Sequence, residues 1–260
     1  MQWIARVVHM QRPGLRPIVV GVTLGLFAGS AMGAPAGPAP NVHLGGATVL
    51  GAASLKDIFP TMAPKLTYSF AGSDQLAFQI EQGAPADVFA SASAKYPEQL
   101  YAKGLVATPV LFAYNRLVVV VPKANPAGIT SIQDLTRSGI KLVIGDANVP
   151  VGAYARTVLS RLGLTDALQN VVSNETDVRG VVTKVALGEA DAGIAYVTDL
   201  YKQRAKMTAI AIPESAQPLV AYKIAVVRAG RHRDVAAAFI RYLRSRDGKA
   251  YLTRFGFIPA

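Results

Sequence analysis

The sequence predicts an α/β protein in which short strands alternate with helices. Apolar or β-branched runs such as Thr48–Ala52 and Leu117–Val121 recur, and between them apolar residues fall at helical spacing, as at Leu76, Ala77 and Ile80. Small, hydroxyl, glycine and proline residues mark the junctions. Of the 260 residues 51% are apolar and 17% are charged, enough for one large domain or two lobes with real cores, and unlike a disordered chain. Repeated strand–helix alternation argues for mostly parallel sheets flanked by helices.

The N-terminus reads as an export signal. Arg12 and Arg16 precede an apolar stretch from Ile18 to Ala28, and Ala31-Met32-Gly33 supplies the small residues a signal peptidase reads. Cleavage is placed after Gly33, because cleavage after Ala34 would leave Pro35 at the new terminus. The apolar run is short and Gly/Ala-rich for a membrane span, which disfavours an uncleaved anchor. Met10 is an alternative start. Residues 34–46, rich in Pro, Ala and Gly, form a leader.

From Ala47 the elements follow in order. Strands are expected at Thr48–Ala52, Leu66–Phe70, Asp87–Ala90, Leu117–Val121 (stopped by Pro122), Lys141–Gly145, Ala192–Tyr196 and Ile224–Val227. Helices are expected from Ser54, from Ser73 to a stop at Gly83, at Ser131–Leu135, Val151–Leu162 and Asp177–Leu187, with two more at the C-terminus. Val118–Val121 is the expected crossover between lobes and Pro213–Ala221 the return. Lobe 1 then comprises 47–121 with 216–260, and lobe 2 comprises 122–215. No internal repeat is visible.

Composition narrows the chemistry. The absence of cysteine excludes disulfides, thiol catalysis, thiolate zinc sites and a lipidated N-terminal cysteine. The net charge of +11 invites a nucleic-acid reading, but the basic residues are scattered. They cluster only at Arg228, Arg231, Arg233, Arg241, Arg244 and Arg246, on a helix whose apolar face is Val235, Phe239, Ile240 and Leu243. That pattern is a solvated helix face before it is a membrane or acidic-partner patch. No nucleophile elbow, phosphate-binding P-loop or dinucleotide fingerprint is present. The histidines, His9, His43 and His232, have no triad or metal partners by position. Glu81, Asp87 and Glu98 are conceivable acids, but Glu81 closes a helix and Asp87 opens a strand, so structural roles are expected.

Five junctions carry the functional signal: Gly51–Leu55, Phe70–Ser73, Val149–Gly152, Glu175–Val178 and Gly193–Tyr196. Helix N-termini present unpaired N–H groups and a partial positive charge, and several aimed at one point hold an anion without lysine or arginine. Ser54 and Ser73 each offer an N–H and a hydroxyl, although N-capping alone explains a serine at such a place. Val151, after Pro150, and Val178, after the N-cap candidate Asp177, offer only an N–H. Tyr196 closes a strand and offers its hydroxyl, unless it is a core tyrosine with its tip at the surface.

These stretches resemble the periplasmic molybdate-binding proteins of ABC importers over about residues 47–257. The most specific piece is Phe70-Ala71-Gly72-Ser73 followed by Gln79-Ile80-Glu81-Gln82-Gly83-Ala84-Pro85-Ala86-Asp87-Val88-Phe89. Ala52-Ala53-Ser54-Leu55, Gly145-Asp146 through Gly152, Gly193-Ile194-Ala195-Tyr196 and Arg254-Phe255-Gly256-Phe257 follow in the expected order. The resemblance implies a two-lobed type II periplasmic binding protein that holds the oxyanion in the interlobe cleft through Ser54, Ser73, Val151, Val178 and Tyr196. Molybdenum is then bound only as molybdate or tungstate, with no direct protein–metal ligand, no catalytic residue and no cofactor. The implied partner is an ABC permease in the inner membrane, and the implied form is a periplasmic monomer that binds no nucleic acid. A receptor for sulfate, an exported enzyme on the same fold using Asp87 or Glu98, and a sensor domain are the rival readings. Three departures stand out. The Ser54–Ser73 segment is short and its helix is clipped by Pro60 and Pro64. Asp74 and Lys56 stand where the family has other residue types, and both are expected to face solvent. Val151 replaces a usual alanine.

Overall fold

The structure, a computed structural model, describes residues 45–260. The expected signal peptide, its expected cleavage site and nearly all of the expected leader lie outside the described residues. Among those described, no helix is long and apolar enough to cross a membrane.

The first lobe opens with β1 (Thr48–Ala52), one helical turn at Ala53–Leu55, α1 (Phe59–Met62), β2 (Thr67–Ala71), α2 (Ser73–Glu81), β3 (Val88–Ser91), α3 (Lys95–Ala102) and β4 (Val110–Asn115). Pro60 sits in the first turn of α1, where its missing N–H is harmless, and α1 ends at its C-cap Ala63, just before Pro64. The chain crosses at Asn115–Leu117 into β5 (Leu117–Pro122), followed by β6 (Leu142–Gly145), α4 (Pro150–Arg161), β7 (Val171–Glu175), α5 (Val178–Ala186), β8 (Ala192–Tyr196) and β9 (Met207–Ala211). It returns through β10 (Val220–Val226), α6 (Arg233–Leu243), α7 (Arg246–Arg254) and β11 (Ile258–Pro259).

The first sheet has the order β11-β4-β10-β3-β1-β2 and the second β7-β6-β8-β5-β9. Both are mixed, where alternation predicted mostly parallel pairing. β1 runs parallel to β2 and β3, and β6 parallel to β7 and β8, because helical crossovers connect them. The strands that enter from the other lobe, β5 and β10, run antiparallel to their neighbours. The expected lobe boundary at 121 also moves. All of β5 pairs inside the second sheet, so the crossover is the short Asn115–Leu117 segment, not Val118–Val121. The strands β4, β7 and β9 and the helix α3 complete the alternation.

β1 and β3 are buried on both faces. Leu50 and Phe89 pack with Leu76, Ile80 and Leu100 of α2 and α3, while Val49, Val88 and Ala90 face the larger core that continues into the second lobe. This period-two division lets one sheet hold helices on both sides. In α6 the residues Phe239, Ile240 and Leu243 are buried, as its apolar face predicts.

Asp87 is a clasp. It accepts N–H bonds from Thr48 at 2.8 Å and His232 at 2.7 Å, and lies 3.4 Å from Nδ1 of His232. His232, which has no triad or metal partners by position, instead pairs structurally with a residue 145 positions away. Burial alone would raise the Asp87 pKa, but the two N–H donors and the histidine outweigh it and lower the value. Asp87 thus contributes stability above the ordinary carboxylate pKa of about 3.9, and that stability is lost as pH falls through its lower folded value. Asp87→Asn is expected to cost about 1–3 kcal/mol at neutral pH. In thermal melts, the gap from wild type should narrow below about pH 4.

Candidate functional site

The carboxyl ends of three parallel strands in each lobe face one cleft. The first lobe supplies the residues after β1, β2 and β3, and the second those after β6 and β7 together with the end of β8. Ligand sites in open α/β sheets lie outside such strand ends. Here they bound a small space, about 210 Å³ free of atoms with its solvent-open mouth included. Ser54, Ser73, Val151, Val178 and Tyr196 all line it, with Ala53, Gly72, Pro150 and Asp177 among their neighbours.

Neither serine caps a helix. Ser54 lies within the Ala53–Leu55 turn, and Ser73 is the first residue of α2 after its N-cap Gly72; neither turn has a side-chain cap. The hydroxyl of Ser73 instead accepts the N–H of Ala92, at 3.1 Å, from the end of β3. The hydroxyl of Ser54 lies 2.8 Å from that of Tyr222 on β10. Both serines are buried. Capping, the commonest reason for a serine at such a junction, is therefore not what they do.

Val151 is the second residue of α4, after Pro150, and Val178 is the first residue of α5. Their N–H groups belong to first turns, which have no intrahelical acceptor. Gly152 lets α4 start this close to β6: a Cβ there would collide with the carbonyl oxygens of Gly145 and Asp146. Asp177 caps α5 as expected, accepting the N–H of Arg179 at 2.7 Å.

Tyr196 is only 2% exposed, and its hydroxyl has no partner among the described residues. The alternative of a core tyrosine with its tip at the surface does not hold: the ring closes a buried strand, its hydroxyl is buried, and the residue lines the cavity. Burial pushes its pKa well above the ordinary tyrosine value, so it remains a donor.

Charge is arranged around the cavity, not in it. Among the described residues no lysine or arginine lines the space, and the one carboxylate that does is Asp177. Arg179 neutralises this group through Nε at 3.1 Å and a terminal nitrogen at 2.5 Å, and also donates to the Phe70 carbonyl of the other lobe at 2.8 Å. The bond to Asp177 raises the arginine pKa. Lys56 pairs with Asp57 at 3.2 Å, and Lys202 reaches the same carboxylate from the second lobe at 3.1 Å. Asp74 does not face solvent as expected: its Oδ1 is buried without a partner, and burial raises its pKa against the N–H groups of Asp74 and Gln75. It does not line the cavity. Tyr96 donates to the Asn148 carbonyl across the cleft.

The carboxylates considered as catalytic acids are engaged elsewhere. Glu81 pairs with Lys103 at 2.7 Å, Glu98 with Lys223 at 2.5 Å, and Asp87 is the clasp described above. None lines the cavity. Tyr222 and Asn115, which contact the site from behind Ser54, carried no sequence signal because they lie on strands far from it in the chain.

A family-wide comparison matches residues 53–258 to the bacterial extracellular solute-binding proteins. The chain belongs to that family. Among relatives of this solute-binding protein, the molybdate-binding protein ModA of Mycobacterium tuberculosis is 35% identical over 233 residues, covering 86% of this chain and 87% of the relative. Among solved structures, the periplasmic molybdate-binding protein of Azotobacter vinelandii superposes with a TM-score of 0.74 at 22% identity, covering 82% of this chain and 99% of that one. The sulfate-binding protein SubI of M. tuberculosis gives 0.72 at 18% identity, over 83% of this chain and 87% of that one. Those two likenesses show a shared two-lobed α/β fold, and at such identities the fold alone.

Arg179→Met removes the counter-charge of Asp177 and the bond to Phe70 while keeping much of the side-chain packing. An uncompensated buried carboxylate beside an anion is costly. Titration calorimetry with molybdate as the probe is expected to show at least about tenfold weaker binding.

Proposed function

We propose that this chain is the substrate-binding component of an ABC importer, capturing molybdate, and tungstate with it, and delivering the ion to a permease. The observation that carries this reading is the buried Tyr196 hydroxyl, which faces a cavity shared with two serine hydroxyls and the first turns of α4 and α5. A buried donor without a partner costs about 1–3 kcal/mol, so such a set is favoured only if an acceptor completes it. A tetrahedral oxyanion supplies acceptors in several directions at once. The relatives named for molybdate at 35% identity give the ion its identity.

Within this reading Ser54 and Ser73 donate hydroxyl and N–H, Val151 and Val178 donate N–H, and Tyr196 donates its hydroxyl. No metal–protein bond forms and no cofactor is required. All donors are neutral, which suits a fully deprotonated dianion. A protonated oxyanion such as hydrogen phosphate needs an acceptor, and the one carboxylate in the lining is already engaged by Arg179. Sulfate carries the same charge as molybdate and is smaller, so the discrimination rests on cleft size. The missing lysine and arginine in the lining disfavour an enzyme that stabilises developing negative charge with cations. Export to the periplasm, a first lobe at 47–115 with 216–260 once β5 is assigned to the second sheet, and action as a monomer belong to the same proposal.

Ser73→Ala removes one charge-assisted donor and is expected to weaken molybdate binding about tenfold or more by calorimetry. Tyr196→Phe should do likewise. Unchanged affinity in both would overturn the site. A thermal-shift series with molybdate, tungstate and sulfate tests the ligand: stabilisation by sulfate equal to that by molybdate would favour the sulfate reading.

A further inference from the structure

We propose that Tyr222 and Asn115 are positioning residues that fix the Ser54 hydroxyl as a donor toward the cavity, so that the site selects fully deprotonated oxyanions over protonated ones. The inference rests on the reading in which Ser54 holds the anion, and it concerns two side chains that do not line the cavity.

The direction of every proton in this cluster follows from one main-chain group. The N–H of Arg116 donates to Oδ1 of Asn115 at 2.9 Å. A main-chain N–H only donates, so the amide oxygen must face it, and the amide nitrogen faces the other way. That nitrogen lies 2.9 Å from Oγ1 of Thr198 and 3.3 Å from the hydroxyl oxygen of Tyr222. Its two protons have these two acceptors. Tyr222 therefore receives a hydrogen bond from Asn115, and among the described residues the one acceptor within reach of its own proton is the Ser54 oxygen 2.8 Å away, so donation to Ser54 is the arrangement that leaves no buried proton without a partner. Ser54 accepts from Tyr222, and its proton is left to point into the space that Ser54 lines.

Burial makes the direction persistent. Asn115 is 4% exposed and Tyr222 fully buried, with Ser54 and Thr198 also buried, so solvent does not compete for these bonds. Burial also holds the Tyr222 proton on its oxygen, raising its pKa far beyond the ordinary tyrosine value. Were the relay reversed, Ser54 would donate to Tyr222 and present a lone pair to the cavity. That lone pair would repel a dianion and accept the O–H of a protonated oxyanion. Ser73 has the same polarity by a different route, since its oxygen accepts the main-chain N–H of Ala92. Both serines are thus donors into the cavity, one oriented by a backbone group and one by a side-chain relay that a single atom can interrupt.

The test is a double-mutant cycle on the full mature chain, with Tyr222→Phe, Ser54→Ala and the double variant titrated calorimetrically with molybdate and with phosphate. Tyr222→Phe keeps the ring in place, and thermal melts confirm that each variant folds. The expected result is about tenfold weaker molybdate binding in Tyr222→Phe. The same substitution should cost less than about twofold in the Ser54→Ala background, and the ratio of phosphate to molybdate affinity should rise only when Ser54 is present. Equal losses in both backgrounds would mean that Tyr222 acts through packing, and would overturn the inference while leaving the molybdate reading intact. Failure of the wild type to bind molybdate, or no effect of Ser54→Ala, would overturn the reading of the site and the inference with it.

Discussion

An anion buried away from water must be met by donors, and the proposed site offers it none that carry charge. That constraint organises the rest of the structure. The first turn of a helix supplies unpaired N–H groups together with a partial positive charge, so helices that start at the site, brought there by strand ends, meet the need. The small residues at Ala53, Gly72 and Gly152 follow from the same need, because main chain must approach closely. At Gly72 a Cβ would lie 2.6 Å from the Thr176 carbonyl oxygen of the other lobe. The basic residues that give the chain its +11 charge are left for the surface and for pairs such as Arg179 with Asp177.

The two lobes solve the problem in the same way with different sequences. Each presents the ends of three parallel strands, and each contributes helix starts beside them. Three of the contacts that join the lobes use main-chain carbonyls as acceptors: Arg179 to Phe70, Tyr96 to Asn148, and Arg161 to Gln217 at 2.7 Å. Asn115 stands where the chain crosses between lobes, binding Thr198 of the second and Tyr222 of the first. One residue therefore reports on lobe apposition and on the orientation of a cavity hydroxyl at the same time.

Much of this was legible in the sequence because helix starts are written locally. Pro150 and Asp177 announce the first turns of α4 and α5, so the two valines that follow could be picked out despite side chains without chemistry. Gly83, with its positive φ of 80°, ends α2 as its identity suggests. Less was legible where the answer depends on distant pairing. β7 and β9 are edge strands with part of their length exposed, and their patterns are weak. β5 looked like a bridge between lobes because a buried, β-branched strand carries no mark of which sheet it joins. The capping alternative for Ser54 and Ser73, and the expectation that Asp74 faces water, rest on local rules that tertiary contacts override. Nothing local distinguishes Tyr222 from the other core tyrosines, since its role depends on a serine 168 residues earlier.

Under the proposed reading, the division of the donor set between lobes has a consequence for unloading. Ser54 and Ser73 belong to one lobe, and Val151, Val178 and Tyr196 to the other. Neither half satisfies a tetrahedral ion alone, so a retained ion measures how far the cleft is shut. A permease need not compete for the cargo chemically. Parting the lobes by a few ångström (less than the width of one strand pair) would strip away roughly half of the coordination in one movement. No cationic side chain in the lining would then tether the departing ion to the wall it leaves.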